Sequence, residues 1–421
     1  MNVRRRSSAA ALAAIAVIGA ATAPAVAADP SPSAPASSPS TPSGLYGTTD
    51  PRYDGVWRQS LALLAQDTAG VVPSSKAVKW LTDQQCANGA FAPFRADPAA
   101  ACDAKTPVDS NSTAAAVQAL WAVGGHGDVV EKALGWLKSV QNEDGGWGYT
   151  PGTPSDANST SVVIGALTAT ETDPGKVVKD GKSPYDALLS FALPCAKDKG
   201  AGAFAFQPDK DGKLLPNADA TAAGVLGALG KGLVAEAADP SGFGARSDAA
   251  CADADKPGRE QAAANGAAYL ADALAEDGHL VSALGGSADQ PDYGNTADAV
   301  VALAAQGGAD RAAEPLAWLK KNAATWASQS GPAAYAQLVL AAHATGTDPR
   351  DFGGTDLVER LNATGPAPQG TAVKDTATAS DEDRKKDEDS PFGVWWFVGV
   401  CLVFGIGIGF LLSNRTKKQQ P

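Results

Sequence analysis

The chain has 421 residues, 46 acidic against 34 basic, for a formal net charge of −12. Hydrophobic residues make up 44% and charged residues 19%, which is too apolar for wholesale disorder. The acidic balance leaves no basic face to neutralise phosphates and so argues against a nucleic-acid partner. Five Cys and three His leave little material for a multi-ligand metal centre, and no metal ligand is assigned.

In chain order, the first element is a secretory signal over 1–27. Arg4, Arg5 and Arg6 form its positive start, an apolar stretch follows from Ala9 to Ala21, and Ala25-Val26-Ala27 supplies the small-residue cleavage pattern. Residues 28–50 are rich in Pro, Ser, Ala and Thr, a flexible spacer that cannot bury enough surface to fold. A folded body is expected over 51–365. Within it, two kinds of helical segment alternate in six pairs.

One kind ends in a Gly-rich turn carrying an aromatic. Ala77–Gln85 leads to Asn88-Gly89-Ala90-Phe91, and Ala133–Gln141 leads to Asp144-Gly145-Gly146-Trp147-Gly148. Weaker copies reach Gly202-Ala203-Phe204 and Asp277-Gly278-His279-Leu280. Gly just past a helix end accepts the left-handed conformation that closes the last turn. The other kind opens on a polar cap and continues in small and branched apolar residues. Its caps lie at Asp109-Ser110-Asn111-Ser112-Thr113, Asp156-Ala157-Asn158-Ser159-Thr160, Asn217-Ala218-Asp219-Ala220-Thr221 and Asp292-Tyr293-Gly294-Asn295-Thr296. Such oxygens accept the orphan amide hydrogens of a first helical turn. Helices apolar nearly all round are packed on both sides, so these are the inner members of each pair. One pair cannot bury its own face, so the pairs stack. Six of them fit a closed ring of inner and outer helices, an open solenoid being the alternative.

Beyond the body, 366–391 is polar and charge-rich and reads as a stalk. The uncharged run 392–412 has 21 residues, enough at about 1.5 Å each to cross a hydrocarbon core of roughly 30 Å. Trp395 and Trp396 mark one interface, and Arg415, Lys417 and Lys418 in the tail 413–421 mark the cytoplasmic side. The expected topology is a cell-membrane protein with one crossing, its body outside, its C-terminus cytoplasmic and the bilayer as a partner. Cys86, Cys102, Cys195 and Cys251 then lie outside the cell, where disulfides persist. Four Cys allow three pairings. Proximity in the chain favours Cys86–Cys102 and Cys195–Cys251, the alternative being four buried thiols.

The turn Gln141–Gly148 (QNEDGGWG), with eroded copies at QQCANGAF and GAGAF, is similar to the QW repeats of squalene cyclases. It is also similar to the corresponding repeats of protein prenyltransferase β-subunits. The D-x-N-S-T helix starts resemble the same terpenoid cyclase and prenyltransferase superfamily. That resemblance covers Tyr53 to Ala363 and implies an all-α fold, an (α/α)6 toroid, here followed by a single C-terminal transmembrane helix. It also extends to the helical half of the vitamin B12 carriers transcobalamin and intrinsic factor.

The enzymes of that superfamily carry defining residues that are not found here. The cyclase motif D-x-D-D is approached only by Asp253-Ala254-Asp255-Lys256, which lacks the last carboxylate. No D-D-x-x-D, zinc-ligand trio or thioester G-C-G-E-Q is found, and catalytic residues are therefore not assigned. His126, His279 and His343 stand alone and read as ordinary surface or backbone-paired histidines. The remaining candidate is the mouth where inner-helix N-termini gather. It would collect Asp109, Asn111, Tyr149, Asp156, Asn158, Asn217, Asp219, Asp292, Tyr293 and Asn295, together with Trp147, whose position after a Gly corner also suits a wedge. Each polar residue taken singly is a helix cap, and the set is the expected ligand-binding patch.

The function expected from these features is a membrane-anchored, non-catalytic binding or receptor protein. Its small-molecule ligand is compared with cobalamin in the manner of the B12 carriers, and its partner with an importer or another surface protein. No other cofactor is expected. The alternative is a divergent extracellular enzyme on the same fold. It would be cyclase-like, or carbohydrate-active with Asp109 and Asp156 as an acid/base pair.

Overall fold

A computed structural model describes residues 43–195, 200–239, 251–252, 258–282 and 290–371. The signal 1–27, the span 392–412, the tail 413–421 and the segment Asp253–Lys256 lie outside the described residues. Among the described residues, no helix is long and apolar enough to cross a membrane.

The described residues form twelve α-helices. The expected inner helices are α1 (Gly55–Thr68), α3 (Ser110–Val123), α5 (Ala157–Ala169), α7 (Ala218–Ala228), α9 (Tyr293–Gly307) and α11 (Pro332–Ala344). The outer ones are α2 (Ser75–Asp83), α4 (Gly127–Ser139), α6 (Pro184–Leu189), α8 (Arg259–Leu274), α10 (Ala313–Ser330) and α12 (Leu357–Asn362). Four inner helices start where the sequence places their caps. Asp109, Asp156, Asn217 and Asp292 each accept a hydrogen bond from the backbone N–H three residues on.

Each inner helix packs on two others of its kind. The order is α1 on α3, α3 on α5, α5 on α7, α7 on α9, α9 on α11, and α11 back on α1. The ring is closed. Outer helices lean into the grooves, α8 against α7 and α9, and α10 against α9 and α11. The inner helices are buried along most of their length and are dominated by Ala, Val and Leu. Small side chains let neighbouring backbones approach closely enough to fill a core of this curvature.

The seam between first and last repeats is tied by chain on both sides of the expected body. Tyr46 is fully buried, and its hydroxyl lies 3.1 Å from Gln66 Oε1 and 3.3 Å from Pro366 O. Gln66 Nε2 donates to Asn362 Oδ1 at 2.6 Å. Strand β1 (Val71–Val72) pairs antiparallel with β2 (Gly370–Thr371). The expected boundaries at 51 and 365 are therefore corrected: residues 43–50, read as spacer, and 366–371, read as stalk, belong to the folded body. Composition alone could not show that one buried tyrosine anchors the end of a Pro/Ser-rich stretch.

The Gly–aromatic corners join the repeats by a recurring set of bonds. At the corner entering α5, Asp156 N donates to Trp147 O at 3.0 Å, and Trp147 N donates to Thr160 Oγ1 at 3.1 Å. The same pair recurs for Phe91 with Asp109 and Thr113, for Phe204 with Asn217 and Thr221, and for Leu280 with Asp292 and Thr296. Two residues beyond the corner, the chain turns back to the preceding inner helix: Ser110 N donates to Tyr149 O, and Ala157 N to Phe206 O, each at 2.9 Å. Gly145 makes one corner possible. Its φ is +87°, and a Cβ there would strike the Ser183 carbonyl.

Both disulfides favoured by proximity are present, Cys86–Cys102 and Cys195–Cys251. The first closes a loop of sequence separation 16, which in the chain-entropy model is worth about 3 kcal/mol. The corner bonds predict that Thr160→Val, which leaves the buried Trp147 amide without an acceptor, lowers unfolding free energy by about 1–3 kcal/mol. Urea unfolding followed by circular dichroism should show a lower midpoint at an unchanged slope, and an unchanged midpoint would contradict it.

Candidate functional site

The N-termini of α3, α5, α7 and α9 open on the same mouth of the ring, and their caps commit part of each side chain to the helix. Asp109 Oδ1 accepts from Ser112 N at 2.6 Å. Asp156 accepts from Ser159 through both oxygens, at 2.7 Å from the amide and 2.8 Å from the hydroxyl. Asn217 Oδ1 takes Ala220 N at 2.8 Å. Asp292 takes Asn295 N at 3.1 Å and Asn295 Nδ2 at 2.7 Å.

Two residues past each cap, the side chain is free of capping duty. These positions are Asn111, Asn158 and Asp219. Asn158 Nδ2 reaches across from α5 to α7 and donates to Asp219 Oδ2 at 2.6 Å. Among the described residues, Asp109 Oδ2, Asn111 Oδ1, Asn158 Oδ1, Asp219 Oδ1 and Asn295 Oδ1 are shielded from water with no hydrogen-bond partner. Native interiors pair nearly all such atoms, so a cluster of five at one mouth marks a surface built to meet something else.

Burial also sets the charge of this mouth. It pushes the Asp109 carboxyl up to about 7, against the lowering pull of hydrogen bonds from Ser112 and Asn111. It pushes Asp156 up to about 6 against bonds from Ser159, Asn158 and Tyr149. Asp219 is raised to about 7, chiefly by burial. The Asn158 bond pulls it back, and the charges of Asp292 and Asp156 push it further up. Tyr149 is raised by burial and then by the Asp109 charge. Carboxyls that keep their protons near neutrality are proton donors, which is the chemistry this mouth offers.

Of the residues predicted for the mouth, Asp109, Asn111, Asp156, Asn158, Asn217, Asp219, Asp292 and Asn295 all sit on these helix starts. Trp147 does not join them. It is fully buried, and its indole N–H donates to Leu137 O at 2.8 Å, so it wedges the corner instead. Tyr293 stands in a stack that sequence reading missed: its ring lies 5.0 Å from Trp318 and 5.5 Å from Trp326. His279 extends the stack on Trp318 at 4.2 Å. Asp156 has both oxygens occupied by Ser159, which removes the ground for an Asp109/Asp156 sugar-cleaving pair. Among the described residues, no group of three or more His, Cys, Asp or Glu is placed to hold a metal ion. Asp219 also stands in a partial motif. Asn217-Ala218-Asp219-Ala220 keeps the third-position carboxylate of D-x-D-D on an inner-helix start, with neutral residues at the first and fourth positions.

No family model matches the chain. A curated relative, the drimenyl diphosphate synthase of Streptomyces showdoensis, is 32% identical over 110 residues, covering 24% of this chain and 19% of that protein. The chain thus matches about a fifth of that relative's length. Among solved structures, a protein from Actinoplanes is similar over 72% of this chain and 93% of its own, at 15% identity and a TM-score of 0.45. The ent-copalyl diphosphate synthase of Streptomyces platensis is similar over 69% of this chain and 50% of its own, at 15% identity and a TM-score of 0.44. The type II terpene cyclase MstE of Scytonema is similar over 66% and 72%, at 13% identity and a TM-score of 0.41.

The resemblance of the repeats to the terpenoid cyclase superfamily holds, and its α/α ring is the fold the described helices form. The functional expectation is corrected. A relative named as a synthase overturns the non-catalytic receptor reading and the cobalamin-like uptake attached to it, and favours the alternative of an enzyme. The expectation leaned away from an enzyme because it sought the complete motif D-x-D-D.

The raised carboxyls predict a pH dependence of stability. Folded-state values near 6 to 7 against about 3.9 in the unfolded chain mean that the folded protein binds more protons in that interval. Stability is therefore greatest below about pH 4, falls as pH rises through about 7 and levels off above it, as far as these groups contribute. Asp219→Asn should flatten that slope in chemical unfolding at a series of pH values. A slope unchanged by the substitution would contradict the assignment.

Proposed function

We propose that this chain is an extracellular enzyme of terpenoid-cyclase type that starts its reaction by protonating a carbon–carbon double bond, with Asp219 as the acid. The observation that carries this reading is the Asp219 carboxyl, raised to about 7 with Oδ1 shielded and without a partner. The Asn158 amide N–H donates to Oδ2, which must then be the accepting oxygen, so the proton sits on Oδ1. Transfer of that proton to one alkene carbon leaves a cation on its neighbour. An internal double bond attacks the cation to close a ring, water takes a proton from carbon to restore neutrality and returns one to Asp219, and the product is an isomer of the substrate. The relative named as a drimenyl diphosphate synthase supports a linear isoprenoid diphosphate as the substrate class.

The placement of the enzyme belongs to the same reading. The signal 1–27 exports the body, 392–412 anchors it in the cell membrane, and the stalk and the tail 413–421 lie on either side of that span. Two disulfides suit an oxidising exterior. A tether of this kind keeps the mouth near apolar substrate carried by the bilayer.

Incubating the full-length protein with farnesyl or geranylgeranyl diphosphate should give an isomeric cyclic product, read by mass spectrometry after dephosphorylation. Asp219→Asn should lower its rate by about 10²–10⁴-fold, while Asp211→Asn, on an exposed turn, should leave it unchanged. The rate should fall as pH rises through about 7, where Asp219 loses its proton. No product from either substrate, or a product rate indifferent to Asp219→Asn, would overturn the proposal.

A further inference from the structure

The end of the ring opposite the mouth carries exposed apolar side chains where three neighbouring inner helices finish. Val72 follows α1, Trp121 lies in the last turn of α3, and Val178 lies in the connection after α5. They are 38%, 43% and 53% exposed, and α1, α3 and α5 are consecutive members of the ring. The turns beside them stand clear of the body: a Cβ added at Gly70, Gly124, Gly125 or Gly181 would meet nothing within 4 Å. Lys176, Lys179 and Lys182 flank Val178 and are exposed. Lys176 pairs with Asp173 at 3.3 Å. The stretch Lys176–Lys182 holds three Lys and one Asp in a chain of net charge −12, so the sign of the surface reverses here.

The described chain leaves the body at this same end. Val72 pairs with Gly370 in the β1–β2 ladder. Gln369 ties back to the same strand, its N–H to Val72 O at 2.9 Å and its Nε2 to Pro73 O at 3.1 Å. The uncharged run begins at 392, so the 20 residues 372–391 join it to Thr371. A flexible linker of that length has a root-mean-square span of roughly 25 Å. Helix α1 has 14 residues and is about 21 Å long at 1.5 Å per residue. The end from which the tether leaves is therefore the end it holds towards the bilayer, since turning the mouth to the lipid would make the linker run the whole height of the ring. A linker this short also keeps the face at an effective concentration on the order of millimolar, so a weak contact suffices.

We propose that this end is a membrane-contact face for anionic lipid, with Trp121 at the interface and Lys176, Lys179 and Lys182 on the headgroup phosphates. An indole, apolar in body and polar at one edge, suits that depth, and apolar and basic side chains act together in such contacts. The mouth then opens away from the bilayer, about one helix length above the headgroups and within reach of substrate leaving the lipid. This inference rests on the membrane-anchored reading for its tether.

The test places the full-length protein in vesicles of mixed phosphatidylcholine and phosphatidylglycerol that contain a headgroup-attached nitroxide lipid, and reads quenching of tryptophan fluorescence. The contribution of Trp121 is the difference between the native chain and Trp121→Phe, which keeps an apolar ring at the contact. That contribution should fall roughly twofold or more. The quenching should weaken about threefold in Lys176→Glu/Lys179→Glu/Lys182→Glu, and equally in phosphatidylcholine alone, with native helicity retained. If the triple variant does not fold, Lys179→Glu must show the same loss in smaller measure. A Trp121 contribution that the nitroxide leaves unchanged, in protein that resists alkaline carbonate extraction, overturns the face and leaves the anchor standing. Quenching indifferent to the lysines and to lipid charge overturns the anionic partner. Extraction of the protein by carbonate sinks the anchor, and the face with it. Shielding of Trp121 that grows with protein concentration in detergent, without lipid quenching, gives the face to a second copy of the chain and overturns the lipid contact.

Discussion

The ring depends on a hydrogen-bonded corner that is made in the same way at the starts of α3, α5, α7 and α9. The residue after the Gly turn (Phe91, Trp147, Phe204 or Leu280) accepts from the cap N–H with its carbonyl and donates its N–H to the Thr hydroxyl of the next inner helix. Two residues later, the backbone carbonyl at two of these corners accepts from an N–H of the preceding inner helix. A corner so tied fixes the axial position of one inner helix against its neighbour. Repeated round the ring, it brings the helix starts to one level. Without that register, the residues two past each cap would be scattered along the bore and not gathered at a mouth.

Gathering them has an electrostatic consequence. Helix N-termini favour negative charge, yet the layer beneath is Ala- and Val-rich and offers no counter-cation among the described residues. Desolvation outweighs the hydrogen bonds at Asp109, Asp156 and Asp219 alike, and all three keep their protons to higher pH than an exposed carboxyl. The Asp156 oxygens are both spent on Ser159. Asp219 is different because its helix is capped by Asn217, which leaves the carboxyl to a single bond from Asn158. Moving the capping duty from one residue to its neighbour is what turns a structural Asp into an available acid.

Much of this was legible in the chain, for local reasons. Caps, Gly corners and apolar helices are short-range signals, and the four capped inner helices start directly after the residues those signals name. Both disulfides followed from nearness in sequence. What was not legible is non-local. Nothing in Leu233 says that its backbone meets Gln118 of α3, 115 residues earlier in the chain. The acidity of Asp219 depends on Asn158, 61 residues away, and on burial that three-dimensional packing supplies. A search for three carboxylates in D-x-D-D passed over it because its neighbours at the first and fourth positions are neutral. Trp147 was read both as a mouth residue and as a wedge after its Gly corner, and its burial and its bond to Leu137 make it the wedge.

The account stands on a neutral carboxyl at Asp219, and infrared spectroscopy reads that state directly. The difference spectrum between the native protein and Asp219→Asn, taken slightly below neutral pH, should contain the carbonyl stretch of a protonated carboxylic acid, and that band should vanish as the solution is made alkaline. A difference spectrum showing only ionised carboxylate bands at the lower pH would contradict the account.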